Sequence, residues 1–332
     1  MDRKKKNFIA KLIFVAALLA IILYTFKDSA LSIFNQLTQT SLKVIIGVCV
    51  SSVIYHMFEA WITFSLARRY TPGITYLKAI GGAFYCSFYR LATLGSGGGV
   101  AMVYYLGRFG VGYSEGIGLY MVQYIMHRVS IALFCAVLFL FNMQFMAANY
   151  STYGVYLALA FCLTAVIAFL LCMLIISPKF HGVILRLAGK LNRSGRFDRW
   201  VEKLESTAQI LETTSAKLLK EKGTLIGILI KDMVKLCFWF GIPFIVLYGT
   251  SYMTIPQILA VTSLAVLTAS AIPTPSGIGA LELIMTAMFA VLVGVELGGA
   301  VMILYRFGTF IFPFIVGGIY MILLKVRVYK PL

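Results

Sequence analysis

Six apolar runs, near residues 8–26, 43–66, 117–140, 153–176, 224–248 and 299–324, each offer close to the ~20 residues that a helix needs to cross a bilayer. Lipid cannot hydrogen-bond a free backbone, so runs of this kind fold as helices. The chain is 61% hydrophobic and only 12% charged, against roughly 25% charged residues in a soluble domain. The expected fold is therefore an all-α polytopic membrane protein, with residues 1–332 forming one transmembrane domain.

Two further pairs of shorter apolar stretches, 76–94 with 97–114 and 256–272 with 277–294, each straddle a break. The second break is Ile272-Pro-Thr-Pro-Ser-Gly-Ile-Gly-Ala-Leu-Glu282, with two prolines, two glycines and a carboxylate between apolar flanks. The first is Leu94-Gly-Ser-Gly-Gly-Gly-Val-Ala-Met102. Proline and glycine end helices, and a helix broken at membrane depth is tolerated only where protein or water surrounds it. Such places often carry substrate. Each break therefore reads as the tip of a helical hairpin, either re-entrant or fully crossing.

Charge sets the orientation. The chain carries 29 Lys and Arg against 12 Asp and Glu, a formal charge of +17. The cations sit mostly at the ends of apolar runs, so the charge reports topology and anionic lipid contact and not nucleic-acid binding. Arg3 to Lys6, Arg68 with Arg69, the loop 177–223 and the C-terminal Lys325, Arg327 and Lys330 mark one side. Residues 141–152 and 249–256, which carry no charge, mark the other. Both termini and the loop 177–223 are thus expected in the cytoplasm. Within that loop Trp200, Leu204, Ala208, Leu211 and Leu218 share a helical face. The stretch reads as a helix lying on the inner leaflet, or as a solvated connector that a soluble partner would meet. Arg3-Lys-Lys-Lys6 with the apolar run after it reads as a retained first span, since that run exceeds a signal-peptide core of roughly 7–15 residues.

The halves repeat. Residues 43–140 hold a span, a break around Ser96-Gly97-Gly98-Gly99, and a span with Arg128. Residues 224–324 hold a span, a break around Ser276-Gly277-Ile278-Gly279, and a span with Arg306. The charges have the first unit entering its break from the cytoplasm and the second from outside, which makes the repeat inverted. One position breaks the symmetry: Glu282 has no carboxylate counterpart, because Met102 stands at the matching place.

These features nominate a site. A new helix N-terminus after a break presents amide N–H groups to an anion. Ser96 and Ser276 stand where caps belong, Gly97, Gly98, Gly277 and Gly279 allow close backbone approach, and Pro273 and Pro275 fix the second break. Ionisable residues inside spans cost roughly 2.5–3.5 kcal/mol each on insertion scales, so they default to function. Arg128, Glu282 and Arg306 lie deepest, with Glu59, Arg90 and Asp232 as secondary candidates. Lys231, Asp232 and Lys235 are expected to snorkel or pair locally near the cytoplasmic end. His127, beside Arg128, faces a different direction on the helix and is expected to serve packing or the interface and to point away from the site. The cationic excess suits an anionic head group, with Arg128 and Arg306 on phosphate and Glu282 balancing charge or exchanging a proton. The six cysteines lie in apolar stretches without a Cys-x-x-Cys pair and imply neither metal site nor disulfide framework. No phosphate-loop, nucleophile-elbow or His-Glu-x-x-His motif occurs, and no cofactor is implied.

The segment Pro273 to Glu282, with Tyr305-Arg306 and Pro313 after it, resembles the flippase-like transmembrane region of bacterial lysylphosphatidylglycerol synthases and of the stand-alone proteins that share it. Ser96 to Leu106, leading into the span of Arg128, supports the resemblance, which covers nearly the whole chain. There are departures. The family often places a proline before the first glycines and Gln-Pro after them, where this chain has Leu94-Gly95 and Gly99-Val100. A family glycine is Ser276 here. The synthases also carry a soluble aminoacyl-transfer domain, which this sequence does not contain up to Leu332. The resemblance implies the lipid-translocating part in a bacterial cytoplasmic membrane, with membrane lipids as partners. A lipid-modifying membrane transferase and a scaffold for a soluble partner are the alternative readings.

Overall fold

A computed structural model describes residues 41–93, 95, 97–155, 221–249, 253–272 and 274–328, with scattered positions at 35–40 and 158–173. The expected spans 8–26 and most of 153–176, nearly all of the loop 177–223, Leu94, Ser96, Pro273 and the side chain of Pro275 lie outside the described residues.

The described residues form helices and turns only. In the first half these are α1 (Leu42–Ala67), α2 (Tyr76–Ala92), α3 (Gly98–Gly107), α4 (Tyr113–Phe141) and α5 (Met143–Tyr150). In the second they are α6 (Lys222–Phe240), α7 (Ile242–Leu247), α8 (Ile255–Ser270), α9 (Ala280–Val293), α10 (Val295–Arg306) and α11 (Phe312–Val328). A π-helical turn, Phe307–Ile311, joins the last two.

Local sequence explains the boundaries. Thr75 accepts a hydrogen bond from the Lys78 amide and starts α2. Pro256 sits in the first turn of α8, and the Thr254 amide donates to Gln257 Oε1 at 2.9 Å. The expected span 224–248 is one helix only as far as Phe240, since Gly241 and Pro243 interrupt it.

Among the described residues three helices are long and apolar enough to cross a membrane: Leu42–Ala67, Tyr113–Phe141 and the combined Val295–Leu324. Their apolar faces are not used up inside the protein. Only 17% of the apolar window in Val295–Leu324 is buried, which leaves the rest for lipid. The hairpin limbs are shorter. At 1.5 Å per residue, α2, α3, α8 and α9 reach about 25, 15, 24 and 21 Å, less than the ~30 Å of a hydrocarbon core.

The two larger apolar clusters among the described residues centre on different halves, each with a few residues from the other. Ile62, Leu66, Tyr85, Tyr105 and Leu119 centre the first, between α1, α2, α3 and α4. Val261, Leu264, Met285, Phe289 and Val301 centre the second, between α8, α9 and α10. Phe134, Leu236, Phe240 and Leu259 join them through α4, α6 and α8. Contacts between halves are reciprocal. The first limb α2 packs on α11, and the first limb α8 packs on α4, while α1 packs on α6. The α2–α11 approach is close enough that a Cβ on Gly317 would lie 2.2 Å from the Phe84 carbonyl oxygen.

Candidate functional site

Both breaks are built from backbone turns and come to the same place. After α2, the Gly97 amide donates to Thr93 Oγ1 at 2.6 Å, so Thr93 closes this turn. Gly95 has φ +103°. After α8, the Gly277 amide donates to the Thr274 carbonyl at 3.1 Å, and Ser276 adopts φ 57° and ψ 17°. That left-handed conformation is uncommon for a residue with a side chain. Ser276 does not cap α9 as expected. The cap position belongs to Gly279, whose amide donates to Glu282 Oε2 at 2.7 Å, while Ser276 Oγ is buried without a hydrogen-bond partner.

The tips touch. A Cβ placed on Gly95 would lie 3.1 Å from Ser276 Oγ and 3.2 Å from the Ser276 nitrogen. Gly95→Ala would add this contact to a backbone conformation that alanine resists, and is expected to destabilise the protein by about 1–3 kcal/mol. Ser276→Gly removes a left-handed serine and breaks no hydrogen bond, so it is expected to be neutral or stabilising. Thermal unfolding of both variants in detergent checks the pair; equal melting temperatures would contradict the contact.

Arg306 closes the second break. Its Nε donates to Glu282 Oε1 at 2.7 Å, and its Nη2 donates to Glu282 Oε2 at 3.0 Å and to the Gly277 carbonyl at 2.7 Å. The fork matches the carboxylate in two places. Glu282 in turn occupies the amide end of α9. The anion-binding end of this helix is therefore already filled by the protein's own carboxylate.

A cavity of about 500 Å³ opens between the halves. Arg90, Gly95, Gly98 and Arg128 line it from the first half, and Ser276, Gly277 and Arg306 from the second. The spans thus bring both breaks and both span arginines to one space. Two of its cations lack an anion. Among the described residues no carboxylate lies within 4 Å of Arg90 or Arg128. Arg128 Nε donates to the Tyr124 hydroxyl at 3.3 Å, and its guanidinium stands over the same ring at 5.2 Å. Arg306 stands over Phe310, a residue of the π turn, at 5.2 Å.

Behind one wall runs a charged network joining α1, α4 and α6. Lys235 Nζ lies 2.5 Å from Glu59 Oε2 and is paired with Asp232 one turn away. Asp232 Oδ2 accepts from Ser130 Oγ at 3.3 Å, and Asp232 Oδ1 lies 3.4 Å from His127 Nδ1. Gln123 Nε2 donates to Glu59 Oε1 at 2.7 Å, and Thr63 Oγ1 donates to Gln123 Oε1 at 3.1 Å. Asp232 and Lys235 are both 0% exposed.

This corrects two expectations. Asp232 and Lys235 pair locally, one turn apart, as one of the two expected outcomes had it, but they do not snorkel: Lys235 is also held inside by Glu59 on α1. Only Lys231 stays peripheral, donating to Ser65 Oγ at 2.8 Å. His127 does not point away from the site: it lines the cavity beside Arg128 and reaches Asp232.

Of the other expected residues, Glu59 lines the cavity. Gly279 and Glu282 stand behind Arg306, Asp232 stands behind His127, and Gly97 lies in the first turn. Gln123, Tyr124, His127 and Lys235 were not among the expected site residues. A signal for them exists in the sequence. Gln123, His127 and Ser130 recur at spacings of four and three, a polar stripe on an apolar helix.

A family model described as lysylphosphatidylglycerol synthase TM region matches residues 8–317. Among curated proteins, none matches the chain.

Proposed function

From its membership of the lysylphosphatidylglycerol synthase transmembrane-region family, to which this chain belongs, we propose that the protein moves lipid between the leaflets of a bacterial cytoplasmic membrane. The substrate is a lipid with an anionic, phosphate-bearing head group. The head group enters the cavity, and Arg128 and Arg90 hold its phosphate. Arg306, neutralised by its bridge to Glu282, keeps the second break shaped. The acyl chains stay in lipid beside the exposed apolar faces.

One observation carries the reading: two arginines without carboxylate partners among the described residues face a cavity that both hairpin tips enter. Arg128 is half-buried and Arg90 exposed on the cavity lining. A cation held at membrane depth without a carboxylate is costly, and an incoming phosphate offsets that cost. Re-entrant hairpins suit the short limbs, and an inverted repeat suits the reciprocal packing of α2 on α11 and α8 on α4. With both termini cytoplasmic, the two tips reach the midplane from opposite sides.

The test is reconstitution into liposomes carrying labelled phospholipids of anionic and zwitterionic head groups. The expected result is faster exchange between leaflets for anionic lipids than in protein-free liposomes. Exchange no faster than in empty liposomes across the whole panel would overturn the proposal. Mass spectrometry of lipids from a deletion strain separates transport from modification. Unchanged lipid species with an altered leaflet distribution is expected, and loss of a covalently modified species would favour a transferase instead.

A further inference from the structure

The network behind the cavity wall has an unequal charge count. Glu59 and Asp232 face one ammonium, Lys235, and among the described residues no other cation pairs with either carboxylate unless His127 is protonated. With a neutral imidazole the group carries one net negative charge inside the protein. With an imidazolium it is neutral. His127 Nδ1 already stands 3.4 Å from Asp232 Oδ1, so the added charge would arise beside its counter-ion. The network is not sealed from the cavity, because Glu59 and His127 both line it.

We infer that His127, with Asp232 behind it, is a proton-binding site coupled to occupancy of the cavity by an anion. The step is a simple association. Hydronium in water reaching the cavity gives its proton to the imidazole: one O–H bond breaks, one N–H bond forms, and imidazolium and water result. The coupling is electrostatic. Without an anion, Arg128, the next residue in the chain, and Arg90, on the lining of the same cavity, disfavour a further positive charge at His127. A phosphate on those arginines cancels the repulsion and favours the proton. By linkage the proton favours the phosphate equally. This inference rests on the reading of the cavity as an anion site.

The surroundings of His127 are specific. Glu59 approaches from α1, Asp232 and Lys235 from α6, and Arg128 stands on its own helix. α8, which also packs on α4, has no ionisable residue, and those of α3 are Tyr104 and Tyr105. His56 makes a contrast. Its nitrogens meet the Ser52 carbonyl at 2.7 Å and Ser87 Oγ at 3.0 Å, both uncharged partners. A histidine needed only for packing would have no use for a buried carboxylate on one side and a cavity on the other.

The chain has three histidines, so nitrogen-15 histidine NMR can track each one. The full chain is placed in nanodiscs of phosphatidylcholine, and in nanodiscs with phosphatidylglycerol added. His127→Gln and His181→Gln assign the signals. The His127 signal is expected to titrate, with its midpoint rising by about one pH unit, a tenfold gain in proton affinity, when phosphatidylglycerol is present. Anionic lipid also lowers the surface pH, so the Arg90→Gln, Arg128→Gln double variant is the control. It keeps the surface effect and is expected to lose the remainder of the shift. A His127 signal that stays neutral to pH 5, or a shift unchanged in the double variant, overturns the inference. Lipid exchange in liposomes with a His127 signal that does not titrate would sink the coupling alone. A coupled titration without lipid exchange would sink translocation alone.

Discussion

Replacing Lys235 by methionine is expected to destabilise the protein by about 3–5 kcal/mol. The methionine fills a similar volume, so loss of packing is a small part of the effect. The larger part comes from two carboxylates left without their ammonium. Glu59 keeps Gln123 and Asp232 keeps Ser130, but neither neighbour is charged. Asp232 is fully buried, and water cannot replace the lysine there. Thermal unfolding in detergent measures the loss. The triple variant Lys235→Met, Glu59→Gln, Asp232→Asn removes the charges together and is expected to recover most of it. A single variant melting within about 2 °C of the wild type would show that the network does not hold the helices together.

Arg128→Gln is expected to slow lipid exchange at least tenfold, which is about 1.4 kcal/mol in the barrier, and to leave the melting temperature nearly unchanged. Arg128 makes no ion pair among the described residues, so its removal strands no carboxylate. Arg128→Lys is expected to recover exchange only in part, since an ammonium cannot grip phosphate through a planar fork. Arg306→Gln is expected to behave differently. It leaves Glu282 without its cation and frees the Gly277 carbonyl, at a cost of about 3 kcal/mol or more in stability as well as in exchange. Exchange and unfolding measured on the same preparations separate the two arginines. If Arg128→Gln exchanges lipid at the wild-type rate, the cavity arginine does not hold the head group.

The contrast between these arginines was written into the sequence, where Met102 stands in the place that Glu282 takes in the second half. Arg306 is accordingly bridged to a carboxylate, whereas Arg128 faces the cavity with a tyrosine for company. The glycine and proline breaks were legible too, because they interrupt apolar runs that otherwise have one fate in lipid. The helix bounds of α1, α2, α4, α8 and α9 lie within a few residues of the apolar stretches read from the chain. Less legible was the break at Gly241, where Pro243 lies inside a run apolar enough to read as one span.

The buried network was read only in its local pair, Asp232 with Lys235, and for a physical reason. Lys231, Asp232 and Lys235 lie near a cytoplasmic end, and spacing alone suggests side chains that reach outward or pair with each other. Whether they do depends on what stands opposite. Glu59 on α1 and His127 on α4 are 173 and 105 positions away from Asp232 in the chain, and nothing local announces that they will meet it.

By itself the sequence determined that the chain is helical and membrane-embedded, where the two glycine-rich breaks fall and which residues carry charge inside. Those come from local chemistry: apolar length, backbone satisfaction and the cost of a charge in lipid. The tertiary structure decided which charges are spent on each other and which are left to face the cavity. That depends on which helix faces meet, and the energy of an ion pair exists only between groups that packing has brought within a few ångströms.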